Sequence, residues 1–246
     1  MLMAAETVRS KKKKHFEIAV IPGDGVGKEI ADEAVKVGTA AAYMENASLS
    51  LEWFDWGCDY YLEHGTMMPA DMLDILSGFD AIFLGCIGDA SKVPDHISLG
   101  LLLTIRKGFD QYVNLRPICL YEGVTTLLKK AIPGKIDLTV VRENVEGEYS
   151  QVGGRFKQGT ADEVAVQSGV FTRKGTERVM RYAFELARKR KKLASEEEGK
   201  VGMVTNCSKA NALNYSMVFW DDVYNEVAAL YPDIKKDFAL VDALTM

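Results

Sequence analysis

Three arginines stand where a planar guanidinium could bind a carboxylate or a phosphate. Arg106 ends an apolar stretch, Arg116 precedes a proline in a hydrophobic segment, and Arg142 closes a hydrophobic run. An unpaired charge on such a scaffold costs free energy, so each guanidinium is expected to hold an anion through paired hydrogen bonds. Any one of them alone is more simply explained as a structural ion pair. Three together, with Tyr149 close enough in sequence to Arg142 to move a proton, favour a site for an anionic substrate.

A glycine-rich turn follows the first apolar run of the sequence. Residues 22–27 read Pro-Gly-Asp-Gly-Val-Gly, between a predicted strand at residues 16–21 and a predicted helix. The spacing is similar to a dinucleotide-binding turn, but Lys28 stands where the third glycine of that fingerprint would allow close helix–strand packing. The sequence therefore favours a tight active-site turn, and a Rossmann-type binding module is the weakest of the interpretations.

Hydrophobic periodicity predicts the elements that must position these residues. Strands at 16–21, 49–53 and 79–85 alternate with helices, the first with Ile30, Ala34, Val37 and Ala41 on one apolar face and the second at 70–77. This order predicts a parallel α/β sheet with right-handed crossovers. Further along the chain, strands are predicted at 136–141, 164–171, 201–205 and from 238, helices at 176–190 and 209–230, and a loop at Gly153 and Gly154.

Composition limits the classes of function. Thirty basic and thirty-five acidic residues give a net charge of −5, which does not favour nucleic-acid binding. The four cysteines lie far apart, so neither a zinc site nor a disulfide scaffold is indicated. Neither an apolar signal nor a run of about 18 apolar residues is present, so a cytoplasmic protein is predicted. The basic block Lys11–Lys14 is most simply a solvated extension, with a nuclear-localisation signal as the weaker alternative.

Three ordered motifs support a family resemblance. The glycine-rich turn, the Asn-Leu-Arg-Pro motif at residues 114–117 and the Arg-Glu-Asn-Val-Glu-Gly-Glu-Tyr motif at residues 142–149 resemble those of the β-decarboxylating dehydrogenases. That family includes the isopropylmalate, isocitrate and tartrate/D-malate enzymes. The resemblance covers residues 16–246, and the sequences at residues 94–99 and 109–113 look most like the tartrate/D-malate branch.

The resemblance implies an α/β fold of the isopropylmalate dehydrogenase type. A flexible basic tail at residues 1–15 would precede a parallel-sheet first domain at residues 16–116. A second α/β domain at residues 117–246 would carry substrate and dimer contacts. The C-terminal part of the family fold would be absent from the sequence.

The implied reaction is the NAD-dependent oxidative decarboxylation of a 2-hydroxy dicarboxylic acid. The substrate would be of the D-malate, tartrate or 3-isopropylmalate type, and Leu99, where the tartrate/D-malate branch commonly has tryptophan, leaves all three open. The implied cofactors are NAD and Mg²⁺ or Mn²⁺, with K⁺ as a further candidate.

Residue roles follow from the same resemblance. Arg106, Arg116 and Arg142 would clamp the substrate carboxylates, and Tyr149 would protonate the enol left after CO₂ departs. Asn144 is a candidate cofactor contact.

Two further residues would complete the site of a partner subunit. Lys209 would be the proton-transfer partner at the 2-hydroxyl, and Asp242 would be a metal ligand, so a homodimer with shared sites is implied. Without the resemblance, Lys209 would be read as an exposed helix cap and Asp242 as a turn residue. A non-catalytic homologue, acting as a substrate-binding or regulatory subunit, is the alternative. The retained site residues favour the enzyme. The expected absence of the family's C-terminal part, which would supply the loop that holds the adenosine of the cofactor, favours the alternative.

Overall fold

The computed structural model describes residues 14–129, 131–134, 136–194 and 202–244. The chain divides into two compact units, Met1–Phe109 (unit 1) and Asp110–Met246 (unit 2). The division precedes the predicted boundary at residue 116, because that residue lies inside a strand, Val113–Cys119, whose ladder belongs wholly to unit 2. Most of the predicted basic tail lies outside the described residues, and Lys14 already begins the first strand.

Unit 1 is a parallel sheet with helical crossovers, as the sequence predicted. Its elements are β1 (Lys14–Gly23), α1 (Val26–Met44), β2 (Ala47–Trp53), α2 (Cys58–His64), α3 (Met72–Leu76), β3 (Ala81–Cys86) and α4 (Asp95–Gly108). The strand order is β2-β1-β3, and β1 pairs in parallel with both neighbours. The central position of β1 explains the continuous apolar sequence of residues 18–21, because the second half of the strand is buried whereas residues 14–17 are exposed.

The core of unit 1 lies between the sheet and its later helices. Ile21 of β1, Met72 of α3 and Leu101 of α4 are among its buried members. The helix predicted after the glycine turn is present as α1, but its apolar face is not the buried one, because Ile30 and Val37 are 44% and 70% exposed. Helix α1 instead buries two small residues, Gly27 and Ala31, which bring its first turns close to the sheet.

Unit 2 consists of paired strands and two long helices. Its elements are β4 (Val113–Cys119), β5 (Asp137–Glu143), β6 (Gly147–Phe156), β7 (Val164–Val170), α5 (Arg173–Ala194), β8 (Met203–Ser208), α6 (Ser216–Ala228), β9 (Lys235–Leu240) and α7 (Val241–Leu244). β4 and β5 are antiparallel, as are β6 and β7, whereas β8 and β9 are parallel. Helices α5 and α6 form the core, with Phe184 and Val223 fully buried.

Three sequence expectations for unit 2 are corrected by these elements. Gly153 and Gly154 lie within β6, where a Cβ on Gly153 would come within 2.1 Å of the Val166 carbonyl oxygen. The helix expected from residue 209 begins at Ser216, after a series of turns. Asp242 follows β9 in the short helix α7 and not in a strand. Within the described residues, none of the helices is both long and apolar enough to span a membrane.

Candidate functional site

The pairing of β4 with β5 places two of the predicted arginines on one face. Asn114 lies directly opposite Arg142, and Arg116 lies two residues further along β4. Side chains two residues apart on a strand share a face, so Arg116 and Arg142 project to the same side of the ladder. The Arg116 Nε donates a hydrogen bond of 3.1 Å to the Asn114 Oδ1. Asn114, to which sequence reasoning gave no role of its own, therefore bonds to Arg116 and lies across the ladder from Arg142.

Tyr149 joins this group through its ring. The Arg142 Cζ lies 4.9 Å from the centroid of the Tyr149 ring, within the range of a cation–π contact. Tyr149 is 43% exposed, so a small molecule can reach it. A guanidinium that can bind a carboxylate is thus held against a phenol that can transfer a proton.

The expectation that all three arginines hang from buried scaffold is correct only for Arg106. That residue lies in the last turn of α4 in unit 1, next to Ile105, which is 3% exposed. In unit 2, Val140, which pairs with Arg116 and shares its face of the ladder, is 44% exposed. The reason is that α5 packs on one side of the β4–β5 ladder, against residues such as Val141, and leaves the arginine face open.

Asn144 is anchored within unit 2. Its backbone N–H donates to the Tyr112 carbonyl and its Nδ2 donates to the Gln111 carbonyl, each over 3.1 Å. Its Oδ1 accepts from the Asn114 Nδ2 at 3.4 Å, and the residue is only 7% exposed. These contacts anchor the start of the Arg142–Tyr149 segment (residues 142–149), and the cofactor contact at Asn144 stays a prediction.

Lys209 and Asp242 meet at the carboxyl edge of the β8–β9 pair. Ser208 and Leu240 are the last paired residues, so the side chains that follow the two strands are neighbours. They form an ion pair, and Lys209 lowers the pKa of the Asp242 carboxyl through this hydrogen bond. The two residues predicted to act together are therefore brought together.

The described residues do not fit a complete site for a divalent cation. They contain no group of three or more His, Cys, Asp or Glu side chains placed to hold a metal ion. Mg²⁺ requires near-octahedral oxygen coordination, usually from more than one carboxylate together with water or substrate. Asp242, already paired with Lys209, supplies one such group.

The glycine turn (residues 22–27) contains a buried carboxylate that sequence reasoning missed. Asp24 is 4% exposed and accepts hydrogen bonds from the backbone N–H groups of Cys58 and Gly88, at 2.7 and 2.8 Å. A Cβ on Gly27 would come within 2.3 Å of the Pro22 carbonyl oxygen. The turn is therefore packed against the protein's own backbone, which supports the tight turn over a dinucleotide loop. An acidic residue between two glycines after a buried strand was the available signal.

A charged cluster lies beside this turn, where Asp59 and Lys28 also line a small cavity. The Asp59 carboxylate accepts from the Nζ atoms of Lys28 and Lys92 at 2.8 and 2.6 Å. These hydrogen bonds hold the pKa of Asp59 at about 2. Because its side chain is 47% exposed, solvent screens the interaction.

A second missed contact fixes the start of unit 2. The Arg178 guanidinium donates to both carboxylate oxygens of Asp110, at 2.6 and 2.8 Å, and its Cζ lies 4.4 Å from the Tyr112 ring centroid. Arg178 lowers the pKa of the Asp110 carboxyl by this hydrogen bond. Asp110 has a φ of +46°, a left-handed conformation that aspartate adopts at some cost. The partners are 68 residues apart, so no local pattern could reveal the pair.

Comparison with known proteins agrees with these features. Residues 17–246 match the isocitrate/isopropylmalate dehydrogenase family, and the chain belongs to that family. The resemblance inferred from the three motifs is thereby confirmed, together with the predicted fold class.

Individual relatives point to one branch of the family. The chain is 50% identical to a probable tartrate dehydrogenase/decarboxylase of Bacillus subtilis and 48% identical to a D-malate dehydrogenase (decarboxylating) of Escherichia coli. Each match covers 94% of this chain and 62% of the relative, so the chain spans less than two thirds of their length. The crystal structure of isocitrate dehydrogenase from Methylococcus capsulatus superposes with a TM-score of 0.76 at 30% identity, covering 94% of this chain and 62% of that one.

Proposed function

We propose that this chain takes part in the oxidative decarboxylation of a 2-hydroxy dicarboxylic acid of the tartrate or D-malate type. The observation that carries the proposal is the open face that presents Arg116, Arg142 and Tyr149 together. The tartrate and D-malate dehydrogenase relatives support the class of reaction. NAD⁺, implied by the family resemblance, would accept the hydride from the 2-carbon when bound.

The two arginines are proposed to bind the substrate carboxylates. Arg116 and Arg142 offer several N–H donors from one face, which suits the planar oxygens of a carboxylate. Because the face is open, the substrate can reach both guanidinium groups. Arg106 in unit 1 stays a predicted substrate ligand.

Tyr149 is proposed to supply the proton that completes the reaction. When CO₂ leaves the oxidised substrate, its bonding electrons remain on the adjacent carbon as an enolate, which then needs a proton. The Tyr149 hydroxyl is a donor of suitable type, and Arg142 holds its ring beside the carboxylate-binding position. Lys209 is proposed to act at the 2-hydroxyl, with Asp242 as its ion-pair partner.

A homodimer is proposed as the functional assembly. β6 and β7 form a two-stranded pair, and its register places Val152, Phe156, Val164 and Val166 on one face. All four are at least 46% exposed. A two-stranded pair with an exposed apolar face is marginal by itself in water, so burial against a second copy would stabilise it.

The test is formation of NADH from D-malate, tartrate and 3-isopropylmalate, with Mn²⁺ and K⁺ present. We expect one of these acids to be turned over, and the Arg142→Lys and Tyr149→Phe variants to lose at least about tenfold of kcat/KM. Lys157→Arg, an exposed change in the same unit, serves as a control and should leave the rate unchanged. Turnover that survives both site substitutions would contradict the assigned roles.

The alternative is a chain that binds the acid without converting it. The described residues contain no group of three or more His, Cys, Asp or Glu side chains placed to hold a metal ion, which favours this alternative. Calorimetric titration distinguishes the two functions. Dicarboxylate binding that depends on Arg142 but is not accompanied by NADH formation would establish the binding subunit.

A further inference from the structure

Glu146 lies inside the Arg142–Tyr149 segment, and its carboxylate bonds to Thr172 rather than to Arg142 or Tyr149. Its Oε2 accepts the Thr172 backbone N–H at 2.8 Å, and its Oε1 accepts the Thr172 hydroxyl at 2.6 Å. The same hydroxyl accepts the Gly175 N–H at 3.0 Å, which makes Thr172 a cap for the first turn of α5. Glu146 is therefore tied to the N-terminal end of a 22-residue helix, where a negative charge is favoured.

The backbone around Glu146 has little freedom. The Glu143 carboxylate accepts the N–H groups of Val145, at 3.1 and 3.2 Å, and of Glu146, at 2.8 Å. Gly147 then turns the chain into β6 with a φ of +72°, a conformation that favours glycine. Arg142 precedes this loop in the chain and Tyr149 follows it. The conformation of the loop therefore determines whether the two side chains are in contact.

An independent feature shows that the helix is shaped to receive this carboxylate. A Cβ on Gly175 would lie 2.4 Å from the Glu146 Cδ and 2.4 and 2.6 Å from its two oxygens. Alanine is favoured over glycine inside a helix, so this glycine works against helix stability. The space that it leaves is the space that the carboxylate occupies.

We infer that Glu146 is a positioning residue, which keeps Tyr149 stacked on Arg142 by anchoring the loop between them to the first turn of α5. The inference rests on the proposed function for the roles of Arg142 and Tyr149. The hydrogen bonds of Glu146 to Thr172 involve neither of these two residues. Loss of the anchor releases the loop without removing a group that meets substrate.

The direct test places 3-fluorotyrosine at position 149 and records its ¹⁹F NMR signal in the full chain. Glu146→Gln should move or broaden this signal, because the amide cannot reproduce the paired, charged contact with Thr172. The matched control is Glu148→Gln, the same chemical change at an exposed position of the same segment. An unchanged signal in Glu146→Gln, or an equal change in both variants, would overturn the inference.

Thr172 and Gly175 allow the anchor to be altered while Glu146 is kept. Thr172→Val removes the hydroxyl contact and should shift the Tyr149 signal, whereas Thr172→Ser retains the hydroxyl and should restore it. Gly175→Ala distinguishes an effect of helix propensity from displacement of the Glu146 carboxylate, because the two predict different results. Helix propensity alone predicts a stabilised protein with an unchanged Tyr149 signal, whereas displacement of the carboxylate predicts a shifted signal.

Turnover supplies the functional readout. A misplaced Tyr149 should lower kcat/KM by about ten- to a hundredfold, mainly through kcat, because the arginines that bind substrate remain. If the wild-type chain shows no turnover, the proposed function fails, but the ¹⁹F comparison still decides whether Glu146 positions Tyr149. If turnover is normal in Glu146→Gln, the inference fails while the proposed function stands.

Discussion

The glycine turn of unit 1 lies at the end of β1, and the Arg142–Tyr149 segment of unit 2 runs from the end of β5 into β6; in both, a carboxylate accepts hydrogen bonds from the backbone. In the first, Asp24 ties the turn to Cys58 and Gly88. In the second, Glu146 ties the segment to Thr172. They differ in what they leave open. Asp24 is 4% exposed, whereas Tyr149 is 43% exposed.

This difference separates residues that stabilise the fold from residues that can react with a substrate. A buried carboxylate with all of its partners inside the protein contributes to stability, and its removal leaves donors without acceptors. A phenol on an open face contributes little to stability but can reach a substrate. Substitution of Asp24 in unit 1 should therefore strongly lower the free energy of unfolding and have little direct effect on the chemistry. Substitution of Tyr149 should strongly lower turnover and have little effect on the free energy of unfolding.

Asp24→Ala should produce the largest loss of stability. Two backbone donors would be left without acceptors in a buried turn, at a cost of roughly 3 kcal/mol in the free energy of unfolding of unit 1. Urea denaturation followed through the fluorescence of the buried Trp56 measures this. Asp32→Ala, on an exposed position of α1, should change stability by less than about 0.5 kcal/mol. Equal losses in the two variants would contradict the role given to Asp24.

Arg178→Lys should have an intermediate effect, in unit 2. Lysine cannot form the paired hydrogen bonds with Asp110 or lie flat on the Tyr112 ring, so we expect a loss of about 1–2 kcal/mol. Arg181→Lys is the control, since that arginine forms an exposed pair with Glu177 on the same helix. Denaturation followed through Trp220 reports on unit 2, and indistinguishable midpoints for the two variants would argue against the Arg178 contact.

The Asp59 cluster should have a smaller effect, visible only in acid. Its folded-state pKa of about 2 lies below its ordinary value of 3.8, so its stabilising contribution is present above about pH 4 and is lost as the pH falls toward 2. The contribution should not exceed about 1 kcal/mol because the pair is exposed. The free energy of unfolding of Asp59→Asn should fall less steeply across this interval than that of the wild type. Parallel pH profiles would show that the lysines do not lower the pKa.

Tyr149→Phe should have the smallest effect on stability. The ring and its contact with Arg142 are kept, so the free energy of unfolding should change by less than about 0.5 kcal/mol. If the proposed function holds, NADH formation should nevertheless collapse in the same variant. A large loss of stability would show that Tyr149 stabilises the fold as Asp24 does, and would contradict the proposed difference between the two regions.

The parts of the fold that the sequence predicted are those with local signals. β1 and β3 are continuous apolar runs beside glycines, and both were found close to their predicted bounds. The buried face of α1 could not be identified from the sequence. Periodicity at Ile30 and Val37 shows that the helix is amphipathic, but it does not show which neighbour covers the apolar side. Contacts between residues far apart in the sequence could not be predicted either.

For the candidate site, sequence reasoning selected the residues that are proposed to carry the chemistry and missed the residues that hold them in place. Arg142 and Tyr149 belong to one short motif, so their proximity could be expected. Thr172, which anchors Glu146, is 26 residues further along the chain, and Asp110 is 68 residues from Arg178. The packing that creates these contacts follows from the path of the chain between them.

The long reach of Asp24 has a consequence for the order in which unit 1 folds. Its two partners lie 34 and 64 residues further along the chain, so completing the turn requires two long loops to close. During synthesis the turn emerges well before Gly88, and its carboxylate must stay hydrated until β3 has docked against β1. We therefore expect the N–H group of Gly88, which donates to Asp24, to acquire its native protection from hydrogen exchange only after β3 has docked.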